Sequence, residues 1–261
     1  MPKTAKLQPI FDSQLSELKL GGTEIRCRYL RSSKWGVLAR YHDGGRKQPA
    51  WILYLQLDIQ QPADNKLKYA KMSLDFESEA GESEGVIVTE YYGPKHVRGP
   101  LETRTIHYKA GLVPEVGADP FSFKIGHLER ESTQEKTERW HFDAMSKPGR
   151  VGDTLFRRID WTITEARHAL DPSHNPKWKL GVVLTHDGRD FRIHPDISIS
   201  FINANRVLHL FPKKQKRTTT KVEPPKQMPE DLYNSLDAMA ISLQSDLLNE
   251  NLKGVATANQ D

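Results

Sequence analysis

The chain has 261 residues, a formal net charge of +4 and a single cysteine, Cys27. This length allows one large domain or a medium domain with appendages. The lone cysteine excludes an internal disulfide framework. No apolar run is long enough to span a membrane, and the N-terminus lacks a signal-peptide pattern. We therefore expect a cytoplasmic or nuclear protein that is not secreted.

Residues 1–22 predict an irregular N-terminal segment that closes at Gly21-Gly22. From residue 23 to residue 211, short stretches alternate between apolar and polar residues, which is the pattern of half-buried strands. The stretches WILYLQLDI (residues 51–59) and AKMSLDFE (residues 70–77) show this alternation most clearly.

Turn signals recur too often between these stretches for helical crossovers to fit. We therefore predict an all-β domain, an antiparallel β-sandwich or barrel of about eight to ten strands. Trp140 and Trp161 alternate with polar residues and are expected to meet across its core.

The strand pattern stops near residue 211. Residues 212–228 are charged and rich in threonine and proline, which is typical of a flexible basic linker. Residues 229–253 predict an amphipathic helix, with Gly254 suited to end it and residues 254–261 as a disordered tail. Its apolar stripe, the predicted partner-binding surface, consists of Leu232, Leu236, Met239, Leu243 and Leu247.

The stretch LGVVLTHDGRDFRIHPDISISF (residues 180–201) concentrates polar residues that invite a catalytic or metal-binding interpretation. Asp187-Gly188 between two apolar runs predicts a β-hairpin. Strand alternation then places His186 on the core face and His194 on the outer face, so the two cannot share one ion. We therefore interpret the stretch as structural.

Residues 165–176, EARHALDPSHNP, hold the remaining weak ligand or metal candidates. His168, Asp171 and His174 can gather in one loop, with His186 nearby. Histidines in a polar loop are more often simply solvated, so the sequence predicts no metal. Hydrolase and phosphate-loop motifs are also absent, so it predicts no catalytic residue and no cofactor.

The stretch TEYYGPKHVRGP places Tyr91 and Tyr92 close to Lys95, His96 and Arg98. Aromatic rings close to cations suit contact with an anion, a lipid headgroup or a partner protein. The alternative is an exposed connector between strands.

The segments PAWILYLQLDIQQPADNKLKYAKMSLDFE, EYYGPKHVRGP, RWHF and IDWTITE resemble an uncharacterised group of fungal hypothetical proteins with a predicted β-sandwich. The resemblance covers roughly residues 35–200 and implies the fold class, but no functional residues. The strand pattern is also distantly similar to lipid- and calcium-binding β-sandwiches. Their paired loop aspartates, typically DxD, are not matched by Asp187, Asp190 and Asp196.

Three functions follow from these features. The first is a non-enzymatic interaction protein whose tethered helix docks into a groove of a protein partner or a second copy, unless the helix packs on its own domain. The second is binding to an anionic lipid or nucleic acid through Lys213, Lys214, Lys216 and Arg217. The third is an enzyme or small-ligand binder with a site in or at the end of the β domain.

Overall fold

The computed structural model describes residues 13–30, 32–39, 47–62, 66–78, 85–110, 130–149, 154–166, 174–202, 214–225 and 235–258. These described residues form fifteen strands and one helix. The strands are β1 (Gln14–Leu20), β2 (Thr23–Tyr29), β3 (Lys34–Ala39), β4 (Lys47–Gln60), β5 (Leu67–Ser78), β6 (Ile87–Gly93), β7 (His96–Arg98), β8 (Glu102–Ala110), β9 (Arg130–Glu138), β10 (His141–Pro148), β11 (Phe156–Thr164), β12 (Lys177–Thr185), β13 (Phe191–Phe201), β14 (Lys214–Arg217) and β15 (Thr220–Val222). The helix is α1 (Asp237–Ala258).

Two open antiparallel sheets form a sandwich, which confirms the predicted fold class. Sheet A has seven strands in the order β14-β1-β2-β4-β12-β6, with β3 paired to the first half of β4. Sheet B has six strands in the order β15-β13-β5-β11-β10-β7, and β8 and β9 form a separate two-stranded ribbon. The described residues hold more strands than predicted, partly because β7, β14 and β15 are only three or four residues long.

The core lies between the sheets and is built from alternate residues of each strand. Leu53, Leu55, Leu57 and Ile59 of β4 are all buried, as the alternation predicts. The inward residues of β5 are likewise buried; they are Ala70, Met72, Leu74 and Phe76.

The aromatic contacts of the core differ from the predicted pair. Trp140 and Trp161 are both buried, but both belong to the sheet B side. Across the core, Trp140 instead meets Trp178 of β12 edge to face at 5.8 Å, and Trp178 stacks on Phe142 at 4.3 Å. Alternation gives the face of each strand but not which strands oppose each other.

Two segments predicted to be irregular are strands, and the division of the chain is corrected accordingly. β1 pairs with β2 through a turn at Gly21 and Gly22, whose positive φ angles of 58° and 81° are typical of a two-residue hairpin. β14 pairs with β1, and β15 pairs with β13, inside the predicted linker. These short edge strands have few apolar residues, so their composition resembles that of a linker.

The predicted hairpin at Asp187-Gly188 is wrong. β12 pairs with β4 and β6 in sheet A, whereas β13 pairs with β5 and β15 in sheet B, so the chain crosses between the sheets here. The predicted faces are nevertheless right. His186 is buried, while His194 lies on the outer surface beside Glu77.

Helix α1 packs on the outer face of sheet A. Leu236, Ala240, Leu243 and Leu247 are buried against a patch that includes Ile52. The other sheet residues of the patch are Leu38, Ala50 and Val183. The predicted start of the helix lies outside the described residues, and Gly254 lies within α1 rather than ending it. Among the described residues, no helix combines the length and apolar character that crossing a membrane requires.

Asn251 fixes the far end of α1 to the edge of β12. β6 pairs with β12 only as far as Gly181, so no strand of the described residues lies beside the backbone of Lys179 on that side. The Asn251 Oδ1 accepts the Lys179 N–H at 2.8 Å, and its Nδ2 donates to the Lys179 carbonyl at 2.9 Å. A side-chain amide thus takes the place of a neighbouring strand.

We expect the substitution Leu243→Ala to lower the free energy of unfolding by about 3 kcal/mol, since it empties a buried site beneath α1. The matched control is Ile241→Ala on the same helix, where the side chain is 64% exposed and the change should stay within about 0.5 kcal/mol. Urea unfolding followed by tryptophan fluorescence measures both. An unchanged midpoint for Leu243→Ala would mean that α1 is not part of the cooperative unit.

Candidate functional site

The predicted partner-binding stripe of α1 is occupied by the chain itself. Leu236, Leu243 and Leu247 are 2–3% exposed and Met239 packs against the same cluster. Leu232 lies outside the described residues. The interpretation of this stripe as an available contact surface is therefore corrected, because a partner would reach these side chains only after α1 left the sheet.

The predicted anion-binding residues are part of sheet A rather than of a free tether. Lys214, Lys216 and Arg217 belong to β14, and Lys213 lies outside the described residues. The Arg217 guanidinium lies 2.6 Å from the Asp196 carboxylate and also donates to the Gln215 side chain at 2.9 Å. One of the predicted cations is thus paired within the molecule.

His174 forms a buried pair with Glu165. The two side chains are only 2% and 4% exposed, and Nδ1 of His174 contacts the Glu165 carboxylate. The Trp140 ring lies edge-on to His174 at 6.5 Å. The other loop candidates, His168 and Asp171, lie outside the described residues. Within the part of the chain that the structure describes, no three His, Cys, Asp or Glu side chains group to hold a metal ion.

His186 lies in an aromatic cluster at the point where the chain crosses between the sheets. Its Nδ1 accepts the Gly188 N–H at 3.1 Å, so the ring proton of the neutral side chain is on Nε2. The edge of the ring faces Trp35 at 5.4 Å. Burial lowers the pKa of His186 from its usual 6.5 to about 4, and Asp187 opposes this only in part. His186 is therefore a neutral core residue.

Sequence reasoning missed a buried ionic cluster on the outer face of sheet B. Asp160 is 3% exposed and accepts hydrogen bonds from Lys147 at 2.7 Å and Arg158 at 2.8 Å. Burial by itself raises the pKa of Asp160, but these donors outweigh it and leave the pKa below its usual value. The carboxylate stays ionised and paired, which suits a structural role better than proton donation.

The aromatic and cationic residues of the stretch TEYYGPKHVRGP divide between two places. Tyr91 and Tyr92 line a groove at the side of the sandwich, and the Lys95 ammonium lies 4.8 Å from the centre of the Tyr92 ring. His96 and Arg98 belong to β7, where His96 pairs with Asp143 at 2.8 Å.

The groove lies where β6 ends sheet A and has a volume of about 490 Å³. Residues 87–92 of β6 contribute six of its thirteen described lining residues. Sheet B contributes Ser146 of β10 and Phe156 of β11. Leu38 of β3 and Asp237, the first residue of α1, also line it. The groove is therefore built from both sheets and the helix.

The groove covers part of the outer face of sheet A, where Gln48 and Thr185 line it, and passes around the edge of β6 to Ser146 of sheet B. Side chains of a strand alternate between the two faces of the sheet, so a groove on one face is lined by every second residue. Here all six consecutive residues, 87–92, line it. Within the described part of the chain, the topology places no strand on the far side of β6.

The backbone groups on this edge follow from the ladder between β6 and β12. The Val183 carbonyl points toward β6, because it accepts a hydrogen bond from the Thr89 hydroxyl at 2.9 Å. The residues on either side of it therefore turn their backbone groups to β4. Their partners in β6, Val88 and Tyr92, direct N–H and C=O away from β12.

A β-bulge shapes the same stretch of β6. Residues 89–91 lie opposite the single residue Val183, where the register shifts. The Thr89 hydroxyl also accepts the Tyr91 N–H at 3.2 Å, so its side chain replaces bonds that a regular ladder would supply. Bulges bend a strand and redirect its side chains, and they are frequent beside binding sites.

No protein-family model matches the chain, and no curated protein matches it. Among solved structures, 80% of the chain aligns with 92% of the NetB toxin of Clostridium perfringens in its membrane-inserted form. The sequence identity is 7% and the TM-score is 0.23. A TM-score this low carries no argument about this chain. The resemblance to a fungal group stays a prediction.

His186 makes the stability of the protein depend on pH. The unfolded chain binds a proton at this residue near pH 6.5, whereas the folded chain does so only near pH 4. Stability from this residue is therefore complete above pH 6.5 and is lost as the pH falls toward 4, by about 3 kcal/mol in total. Urea unfolding of the native chain and of His186→Gln across this range checks the expectation. Equal pH slopes for the two proteins would contradict it.

Proposed function

We propose that this chain is a binding protein without enzymatic activity, and that it holds an extended peptide segment of a protein partner along the open edge of β6. The observation that carries the proposal is that six consecutive residues of one edge strand line the same groove. Such an edge offers main-chain hydrogen bonds to an added strand, while the groove walls contact alternate side chains of that strand.

The other edges of the sandwich support the choice of β6. The outer edge of β3 is closed by the segment before α1, since the Leu236 N–H donates to the Val37 carbonyl at 2.8 Å and the Ala39 N–H donates to Asp237 at 3.0 Å. β7, β14 and β15 are short, which is a common way to protect an edge. β6 has seven residues, and β10, which β7 pairs only over residues 141–143, borders the same groove at Ser146.

The lining of the groove suits a peptide with apolar side chains. Tyr91, Tyr92 and Phe156 present aromatic rings, and Phe156 is 45% exposed. Aromatic residues are the side chains that most often anchor a protein partner. Ile87 and Val88 add aliphatic surface.

In this proposal, α1 shapes the site instead of carrying the contact. Its first residue, Asp237, lines the groove, whereas its apolar stripe holds the helix on sheet A. A partner is therefore proposed at the β6 edge, and anionic lipid or nucleic acid is the weaker candidate because Arg217 is already paired with Asp196. The buried free thiol of Cys27 supports a proposed location in the cytoplasm or nucleus.

Amide hydrogen exchange measured by NMR tests strand addition directly. The probe is a short peptide of alternating valine and threonine with one central lysine. We expect it to slow exchange about tenfold or more at Val88 and Tyr92, whose N–H groups point away from β12. The same peptide with proline at alternate positions should have no effect, because proline has no N–H to donate. Protection that ignores this alternation, or no protection at all, would refute strand addition.

A further inference from the structure

We infer that Glu90 makes the groove selective for a peptide that carries a lysine or arginine beside it. This inference rests on the proposed function and adds the chemistry of the partner. It concerns the one charged residue of the groove that lies on the open strand itself.

The charged side chains that line the groove among the described residues are acidic, whereas the Lys95 ammonium lies beside the groove over the Tyr92 ring. The two acidic residues of the lining are Glu90 and Asp237. Asp237 is engaged within the chain, where it accepts the Ala39 N–H and contacts the Ser235 hydroxyl. Glu90 is exposed on β6. Glu90 therefore presents an exposed carboxylate to the groove.

Because Glu90 lies between two residues that pack toward the core, its charge affects which strands can pair with β6. Val88 and Tyr92, two residues to either side, both pack toward the core between the sheets. A charged side chain at such a position on an edge strand disfavours pairing with an apolar strand. The added strand would remove the carboxylate from water without giving it a partner, which costs free energy. A strand with a cation opposite Glu90 removes that penalty. The same residue thus rejects most strands and admits a basic one.

The choice of a basic peptide over a second copy of β6 also follows from its sequence. Two β6 strands pairing antiparallel about a central Glu90 would place like charges opposite each other, which destabilises a sheet. Each copy would bring its own carboxylate and no cation from residues 87–93. A foreign strand with lysine or arginine has no such conflict.

A charge-exchange experiment tests the inference with two probe peptides, identical except for a central lysine or a central glutamate. We expect the native chain to bind the lysine peptide about threefold more tightly than the glutamate peptide. Glu90→Lys should reverse that preference. Asp246→Lys is the matched control, because Asp246 is exposed on α1 outside the groove, and it should leave the preference unchanged.

The outcomes separate this inference from the proposed function. Reversal by Glu90→Lys but not by Asp246→Lys supports both. Equal binding of the two peptides, with slowed exchange at Val88 and Tyr92, overturns the charge preference and leaves strand addition intact. The same loss of preference in both variants would assign it to overall charge and overturn the role of Glu90. Binding of neither peptide overturns both.

Discussion

The close approach of α1 to sheet A is the contact on which the candidate site depends. Two glycines make it possible. A Cβ atom at Gly181 would lie 2.9 Å from Leu247 and 3.0 Å from Leu243, and one at Gly93 would lie 3.0 Å from the Gln244 backbone. Because both strands lack side chains there, the helix can lie close to their backbones, and Asn251 then reaches the Lys179 backbone. Because α1 lies this close to sheet A, Asp237 reaches the end of β3 and completes the groove.

This contact also explains why an amphipathic stripe is a poor guide to a partner. The leucines of α1 have the spacing of a helix that docks into an apolar groove, and the groove they fill belongs to sheet A of the same chain. Burial of an apolar face is equally favourable whichever chain supplies the other surface. What distinguishes the two cases is specific complementarity. Here the close packing of α1 on Gly93 and Gly181 and the two hydrogen bonds of Asn251 provide it within one molecule. Neither feature can be recognised from the helical spacing of the leucines.

The sequence predicts what is local to each strand and fails where distant strands meet. Alternation assigned the buried faces of β4 and β5, and even the faces of His186 and His194, because side-chain direction repeats every two residues. It could not show that β12 and β13 enter different sheets, since a short connection serves a hairpin and a crossing equally well. Gly21-Gly22 between alternating stretches was a usable hairpin signal for β1. The composition of the first residues, which predicted an irregular segment, obscured that signal. The groove had no local signal beyond Tyr91 and Tyr92, because its walls come from strands far apart in the chain.

The edge of β6 is both protected against indiscriminate pairing and open to an added strand, two properties that usually exclude each other. An open strand edge invites indiscriminate pairing, and proteins commonly suppress it with bulges, charges or short strands. β6 carries a bulge at residues 89–91 and a carboxylate at Glu90, yet its outward backbone groups remain in a groove with aromatic walls. If protection alone were selected, covering this edge as Ser235 and Leu236 cover β3 would be sufficient. An edge that is restricted but left open is what recognition requires, because selectivity arises from excluding wrong partners while one class of partner is still admitted.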